Sequence, residues 1–465
     1  MLTAPNPATR KENSSDARPG QLLGRRQITG ETTFRYRDLN ASEKSIVVSV
    51  ITCMVTTIYW ELIGNTSIAN IGSFNLTALE FVFATSFFAV GFNIINIINR
   101  FKIYTIVSGA LLLIMMINVC RGMFVDPIES LTAVRKTGSL AFFILLAPAL
   151  AFSDRLKYYV VKAVTVTSIA LSSLIIFRRT TGLLWTDIAL SDGRPILAMG
   201  GFIIVLGCII SLSQAFGVRN TFHSMAIFFL SYVSIIWSGQ GTGNLCALVG
   251  IAIILALEPG ASRSLRLILA GGIAAAAIAI LVIAPQIFSL NTLSGTGSSA
   301  FDAFLAERNG TNETRQLVWK GLWVSYQRWT ELEKILGLPS GVKPVIWIPL
   351  WNGTYWKFGM HSMYLQTLVL QGMLGLILYV LLFVSLSFTA LWRALVTVRQ
   401  VDGPISPAAG VAILVALALF GYSYDLGGEM APYLMLGFGG VLVSGGRLPL
   451  RARARSRTFA SNPAR

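Results

Sequence analysis

The chain has 465 residues, 54% of them hydrophobic and 12% charged, with a mean hydropathy of +0.66, too apolar and too weakly charged for a soluble domain of this length. Its formal net charge of +16 could point to nucleic acid, yet the cations gather in two polar tails and in short gaps between apolar runs. Anionic membrane lipid is the simpler partner for that pattern, and no nucleic acid is expected.

Residues 1–44 hold eight Lys or Arg with Ser, Asn and Pro and no apolar run, so they read as a disordered basic cytoplasmic tail and not as a cleaved leader. Apolar runs follow. A hydrocarbon core of about 30 Å takes about 20 helical residues, because every backbone amide there needs an internal partner. The runs predict an all-α polytopic membrane protein with helices near 45–63, 77–98, 103–120, 138–153, 160–177, 195–215, 223–238, 243–257, 267–288, 362–392, 406–423 and 431–446. That makes about twelve transmembrane helices, or ten to twelve, since Pro148 interrupts the fourth run and Pro432 begins the last.

The chain then divides into the tail 1–44, nine transmembrane helices in 45–288, a large periplasmic loop 289–360, three more helices in 361–446, and a second basic cytoplasmic tail 447–465. With both tails inside, 24 of the 37 Lys and Arg are cytoplasmic, and seven of the other 13 sit in the one long loop, where the charge rule is weak. Both termini are therefore expected in the cytoplasm. The tenth run exceeds one crossing, so its first turns, from His361 to about Gly372, are expected at the outer surface. Loop residues Arg315 to Leu336 place Val318, Leu322, Trp329, Leu332 and Leu336 on one stripe, which predicts an amphipathic helix lying on the membrane domain. Gly337, Pro339, Gly341, Pro344 and Pro349 then enforce irregular backbone.

Few side chains here can do chemistry. Cys53, Cys120, Cys208 and Cys246 stand singly and read as packing, with no metal site and no cofactor expected. Of the two histidines, His223 falls in a cytoplasmic turn, whereas His361 follows the Trp-rich loop and opens the tenth run. Arg194 precedes an apolar span, where a snorkelling arginine is the ordinary reading. Arg315 sits in the first turn of the amphipathic helix, where the dipole disfavours a cation unless an anion is held there too. Arg308 could assist it, or pair with Glu307 or Glu313. Glu61, Glu80, Asp425 and Glu429 are ionisable groups near predicted helix ends, and the last two are placed to steady an outer arginine. No GxSxG elbow, HExxH, Walker or Rossmann pattern occurs in a suitable context, and the first outer loop, 64–76, has no Asp or Glu, against a metal-dependent membrane glycosyltransferase.

Arg315-Gln316-Leu317-Val318-Trp319, then Gly337-Leu338-Pro339-Ser340-Gly341, then His361-Ser362-Met363-Tyr364-Leu365 with Gly372-Met373-Leu374-Gly375, follow one another in order. Together they resemble the signature region of the O-antigen ligase and Wzy-like polysaccharide polymerase superfamily: its Arg-x-x-x-Trp, its Gly-rich turn, its His-Asn-x-Tyr-Leu and its paired glycines. Ser362 stands where Asn is usual, and Trp237-Ser238-Gly239-Gln240-Gly241 lacks the Ser-Arg that many members carry before their next span.

The resemblance implies a metal-independent glycosyltransferase of the bacterial inner membrane. A glycan on undecaprenyl pyrophosphate would pass, with inversion, to a sugar hydroxyl. Arg315, Arg194 and Arg308 would hold the pyrophosphate, His361 would take the hydroxyl proton, and Tyr364, Asp425 and Glu429 would support them. Partners would be the lipid-linked oligosaccharide, a glycan acceptor, and chain-length regulator or export proteins. An exopolysaccharide or O-antigen polymerase is the leading reading. A ligase acting on lipid A core or protein is the alternative, and a lipid-glycan flippase or transporter, for which no half-to-half repeat is visible, is the reading from another class.

Overall fold

The structure, a computed structural model, describes residues 36–63, 67–71, 74–130, 143–181, 198–216, 221–257, 318–342, 347–349, 355–357, 362–396, 404–424 and 431–444. Two units divide the chain. In Met1–Leu39 the described element is a 3-10 turn, Tyr36–Asp38, and everything below concerns Asn40–Arg465.

Helix α1 spans Ala41–Ile63, α2 Ala78–Arg100 and α3 Lys102–Met123. After a helical turn at 143–146 and a 3-10 stretch, Ala147–Ala151, come α4 (Asp154–Thr181), α5 (Ala198–Phe216), α6 (Thr221–Ser238) and α7 (Gly241–Leu257). Residues 318–327 form α8, and α9 is Glu331–Leu336. Helices α10 (Met363–Val396), α11 (Pro407–Ser423) and α12 (Ala431–Val443) complete the bundle. Two short antiparallel hairpins sit between helices: Ser67–Ile71 with Phe74–Thr77, and Trp347–Pro349 with Tyr355–Lys357. Local chemistry explains several ends. Helix α1 begins four residues before the apolar run because Asn40 and Glu43 cap it reciprocally, the Asn40 side chain accepting from the Glu43 amide at 2.7 Å.

Six of the described helices are long and apolar enough to cross a bilayer, α1 to α5 and α10, and four shorter apolar helices pack among them. The chain is a polytopic α-helical membrane protein. Within the fourth expected span, 143–151 are described, and Pro148 lies in their 3-10 portion. The ninth run, 267–288, lies outside the described residues, as do both tails apart from Tyr36–Leu39. Helix α5 forms the centre, with α4, α6, α7 and α11 around it. By contrast α2 leaves Phe87, Phe88, Phe92 and Ile95 exposed, and α10 leaves Val384 and Phe388 exposed. In water such surface would cost about 25 cal/mol per Å²; hydrocarbon removes that cost. Hydroxyl pairs such as Ser49 with Ser86 (2.5 Å) and Thr57 with Tyr433 (2.6 Å) tie neighbouring helices.

Contacts along the helices sort their termini into two ends. At one, Ser42 bonds Asn93, Arg100 donates to the Phe152 carbonyl at 2.8 Å, and Ser213 donates to Ser406 at 2.9 Å. This is the tail end, where the chain enters α1. At the other, Arg178 reaches Glu61, the Cys246 thiol donates to the Ala416 carbonyl at 3.3 Å, and Trp319 meets the Tyr422 ring edge-on at 5.2 Å. This is the loop end.

Candidate functional site

The resembling segment folds as a dock at the loop end, and the amphipathic stretch begins it. Where the sequence predicts one helix up to Leu336, there are two, because Thr330 restarts the chain: its hydroxyl accepts from the Glu333 amide at 3.3 Å and the Glu333 carboxylate accepts from the Thr330 amide at 2.8 Å. Val318 and Leu322, each 1% exposed, pack with Leu338 and Val369, and Trp319, Trp329, Val342 and Leu365 close around them. Leu332 departs from the expected stripe and is exposed, since α9 turns on a new axis after the break.

Beyond α9 the Gly-rich turn plugs into the bundle. The Leu338 amide donates to the Val369 carbonyl at 2.8 Å, and the Ser340 amide to the Asn118 carbonyl at 2.9 Å. The Asn118 side chain donates to the Leu336 carbonyl and, at 2.8 Å, to that of Leu370. Arg121 donates to Gly337 O at 2.8 Å and to Asn118 Oδ1 at 2.7 Å. Close approach explains the small residues. Gly372 has φ +66° inside α10, and a Cβ there would stand 2.2 Å from the Ile335 carbonyl oxygen. At Gly122 a Cβ would stand 2.1 Å from that of Ser340.

The break at Gly372 splits α10 where the surface turns were expected to end. Residues 373–396 are left, about 36 Å at 1.5 Å per residue, enough for one crossing. Beneath the first segment lies a small cleft of about 10 Å³, lined by Met363, Gln366, Thr367, Leu370, Gln371, Tyr379 and Leu434. Gln371 is 2% exposed, and its Oε1 has no protein hydrogen-bond partner among the described residues.

Of the site residues that the resemblance assigns, Tyr364 is described. It is half-buried, and its hydroxyl donates to the Ala418 carbonyl at 3.1 Å, tying the start of α10 to α11. His361, Arg315, Arg308, Arg194, Asp425 and Glu429 lie outside the described residues. Their described chain neighbours share the loop end. Val318, three residues after Arg315, and Leu365, four after His361, belong to one apolar cluster. Tyr424, just before Asp425, stacks on Phe420 at 4.6 Å.

Sequence reasoning missed Asn118 and Arg121, whose partners lie more than 200 residues away. It placed Glu61 near a helix end without assigning it a partner. Glu61 is in fact 4% exposed and interacts electrostatically with Arg178, which is itself 3% exposed. The signal available for Glu61 was an ionisable residue inside an apolar run. No model of a known protein family matches the chain, and no curated protein is significantly similar to it.

Proposed function

We propose that the chain is a polysaccharide polymerase of the bacterial inner membrane, acting at the periplasmic face on glycans carried by undecaprenyl pyrophosphate. The observation that supports this most is the common anchoring of the segments that follow Arg315 and His361: Val318 and Leu365 pack in one cluster. Covalent reach then keeps the Arg315 Cα within about 11 Å of one anchor and the His361 Cα within about 15 Å of the other.

The proposed chemistry balances without a metal or cofactor. His361 takes the proton of the acceptor hydroxyl, whose oxygen forms the new bond to the anomeric carbon. The bond from that carbon to the phosphate oxygen breaks, and its electron pair leaves on the pyrophosphate, where Arg315, Arg194 and Arg308 offset the growing charge. Attack opposite the leaving group inverts the anomeric centre. In this reading the bundle has twelve spans, the ninth over 267–288, with residues 289–360 as the periplasmic loop. Arg100, Lys102, Arg155, Lys157, Lys162 and Arg393 cluster toward the tail end, which supports cytoplasmic termini.

Replacing His361 or Arg315 with Ala is expected to lower polymer formation by at least about a hundredfold with protein level and insertion unchanged. Long chains at normal yield from either variant would defeat the assignment. The accumulated intermediates separate the alternatives. A lost polymerase leaves single repeats on the acceptor, a lost ligase leaves long chains on the carrier, and a lost flippase traps repeats on the cytoplasmic leaflet.

A further inference from the structure

Arg178 and Arg179 end α4 at the loop end, and the transfer chemistry above uses neither. Arg178 is internal: it donates to the Glu61 carbonyl within the field of the Glu61 carboxylate, so its charge is met inside the bundle. Arg179 is exposed. Its Nε donates to the Trp237 carbonyl at 2.9 Å, which fixes the plane of the guanidinium at the turn between α6 and α7. Among the described residues beyond its chain neighbours, one terminal nitrogen, 3.8 Å away, is what stands nearest to where a Cβ of Gly239 would be. Gly239 has φ +70°, so the turn keeps a residue without a side chain beside that nitrogen, leaving a notch among the described residues.

A snorkelling arginine would wave freely in the headgroup layer. Here the fork is held, and among the described residues no carboxylate answers it. The flank of the notch is apolar and exposed at Phe177, Ile236 and Trp237. A fixed bidentate cation beside apolar surface suits a lipid whose head is a phosphate or diphosphate.

The notch also stands apart from the dock. Helix α4 packs on α1, α5 and α6, whereas α10 packs on α3, α9, α11 and α12. A polymerase has two lipid-linked partners, a donor and an acceptor, and each brings its own diphosphate. Resting on the polymerase reading, we propose that Arg179 seats the diphosphate of the acceptor lipid, a second undecaprenyl-pyrophosphate-linked glycan. Arg178 and Glu61 are positioning residues that hold the end of α4 in place.

The test uses the full chain in phosphatidylcholine nanodiscs, titrated with undecaprenyl pyrophosphate or with phosphatidylglycerol and read by native mass spectrometry. Wild type should bind two undecaprenyl pyrophosphates. Arg179→Ala should bind one, its second site weakened about tenfold or more, with Arg179→Lys between them. Phosphatidylglycerol binding should be the same in all three. In the polymerisation assay Arg179→Ala should raise the KM for the acceptor repeat and leave that for the donor unchanged. Equal stoichiometry in wild type and Arg179→Ala overturns the seat while leaving the donor site standing. Equal loss of both lipids reduces it to a headgroup contact and overturns it too. A wild type that binds no undecaprenyl pyrophosphate removes the polymerase reading along with the seat.

Discussion

Arginines finish helices at both ends of the bundle, and at the loop end they reach further and leave one fork partly unmet among the described residues. At the tail end Arg100 donates to the Phe152 carbonyl and lies over its ring, 5.4 Å from the centroid, while Arg393 donates to the Ser444 carbonyl at 3.0 Å. Both satisfy carbonyls left over where a helix stops, the position a cation favours by the dipole as well. At the loop end Arg121 reaches across to another segment, and Arg179 is held by one nitrogen, with no described residue bonded to the rest of its fork. One end is closed with its own side chains; at the other, the proposed seat would use the part of the Arg179 fork that no described residue meets.

The harshest way to break that contrast is at the dock. Gly372→Ala puts a methyl group 2.2 Å from the Ile335 carbonyl in a left-handed backbone, and is expected to cost at least about 2 kcal/mol. Thermal unfolding in detergent should register it, whereas Gly109→Ala, with nothing within 4 Å of its Cβ position, should change stability by no more than about 0.5 kcal/mol. Next, Arg121→Ala should cost about 1–3 kcal/mol by leaving Gly337 O without its donor, and should speed proteolytic cleavage of the loop. Arg393→Ala sharpens the comparison from the closed side. It should lower stability by about 1 kcal/mol yet leave binding of undecaprenyl pyrophosphate unchanged. The smallest effect is expected for Lys334→Ala, whose 2.7 Å pair with exposed Glu331 is worth under about 0.5 kcal/mol by the same unfolding measurement.

Helix positions were readable because hydropathy alone locates them: the run 77–98 became Ala78–Arg100, and 406–423 became Pro407–Ser423. Ends set by polar groups were not. Helix α4 runs from Asp154 to Thr181 against an apolar core of 160–177, and its functional interest lies in the last, charged turn that hydropathy discards. The interruption at Gly372 and the restart at Thr330 are likewise local backbone events inside periodic sequence. The dock was legible in half. Its glycines stood out, while the Asn118 and Arg121 side they plug into is a long-range hydrogen-bond match that no spacing announces.

The interruption of α10 also bears on how such proteins can be recombined. A helix broken at Gly372 loses internal donors for the carbonyls just before it, and those of Val369 and Leu370 are met instead by Leu338 and Asn118. The segment after α9 and the side chain of Asn118 thereby complete the hydrogen bonding of a membrane helix. Chimaeras that graft a foreign loop between α7 and α10 should therefore misfold unless α3 and the Gly372 region travel with it, so the exchangeable module is three pieces of chain and not one.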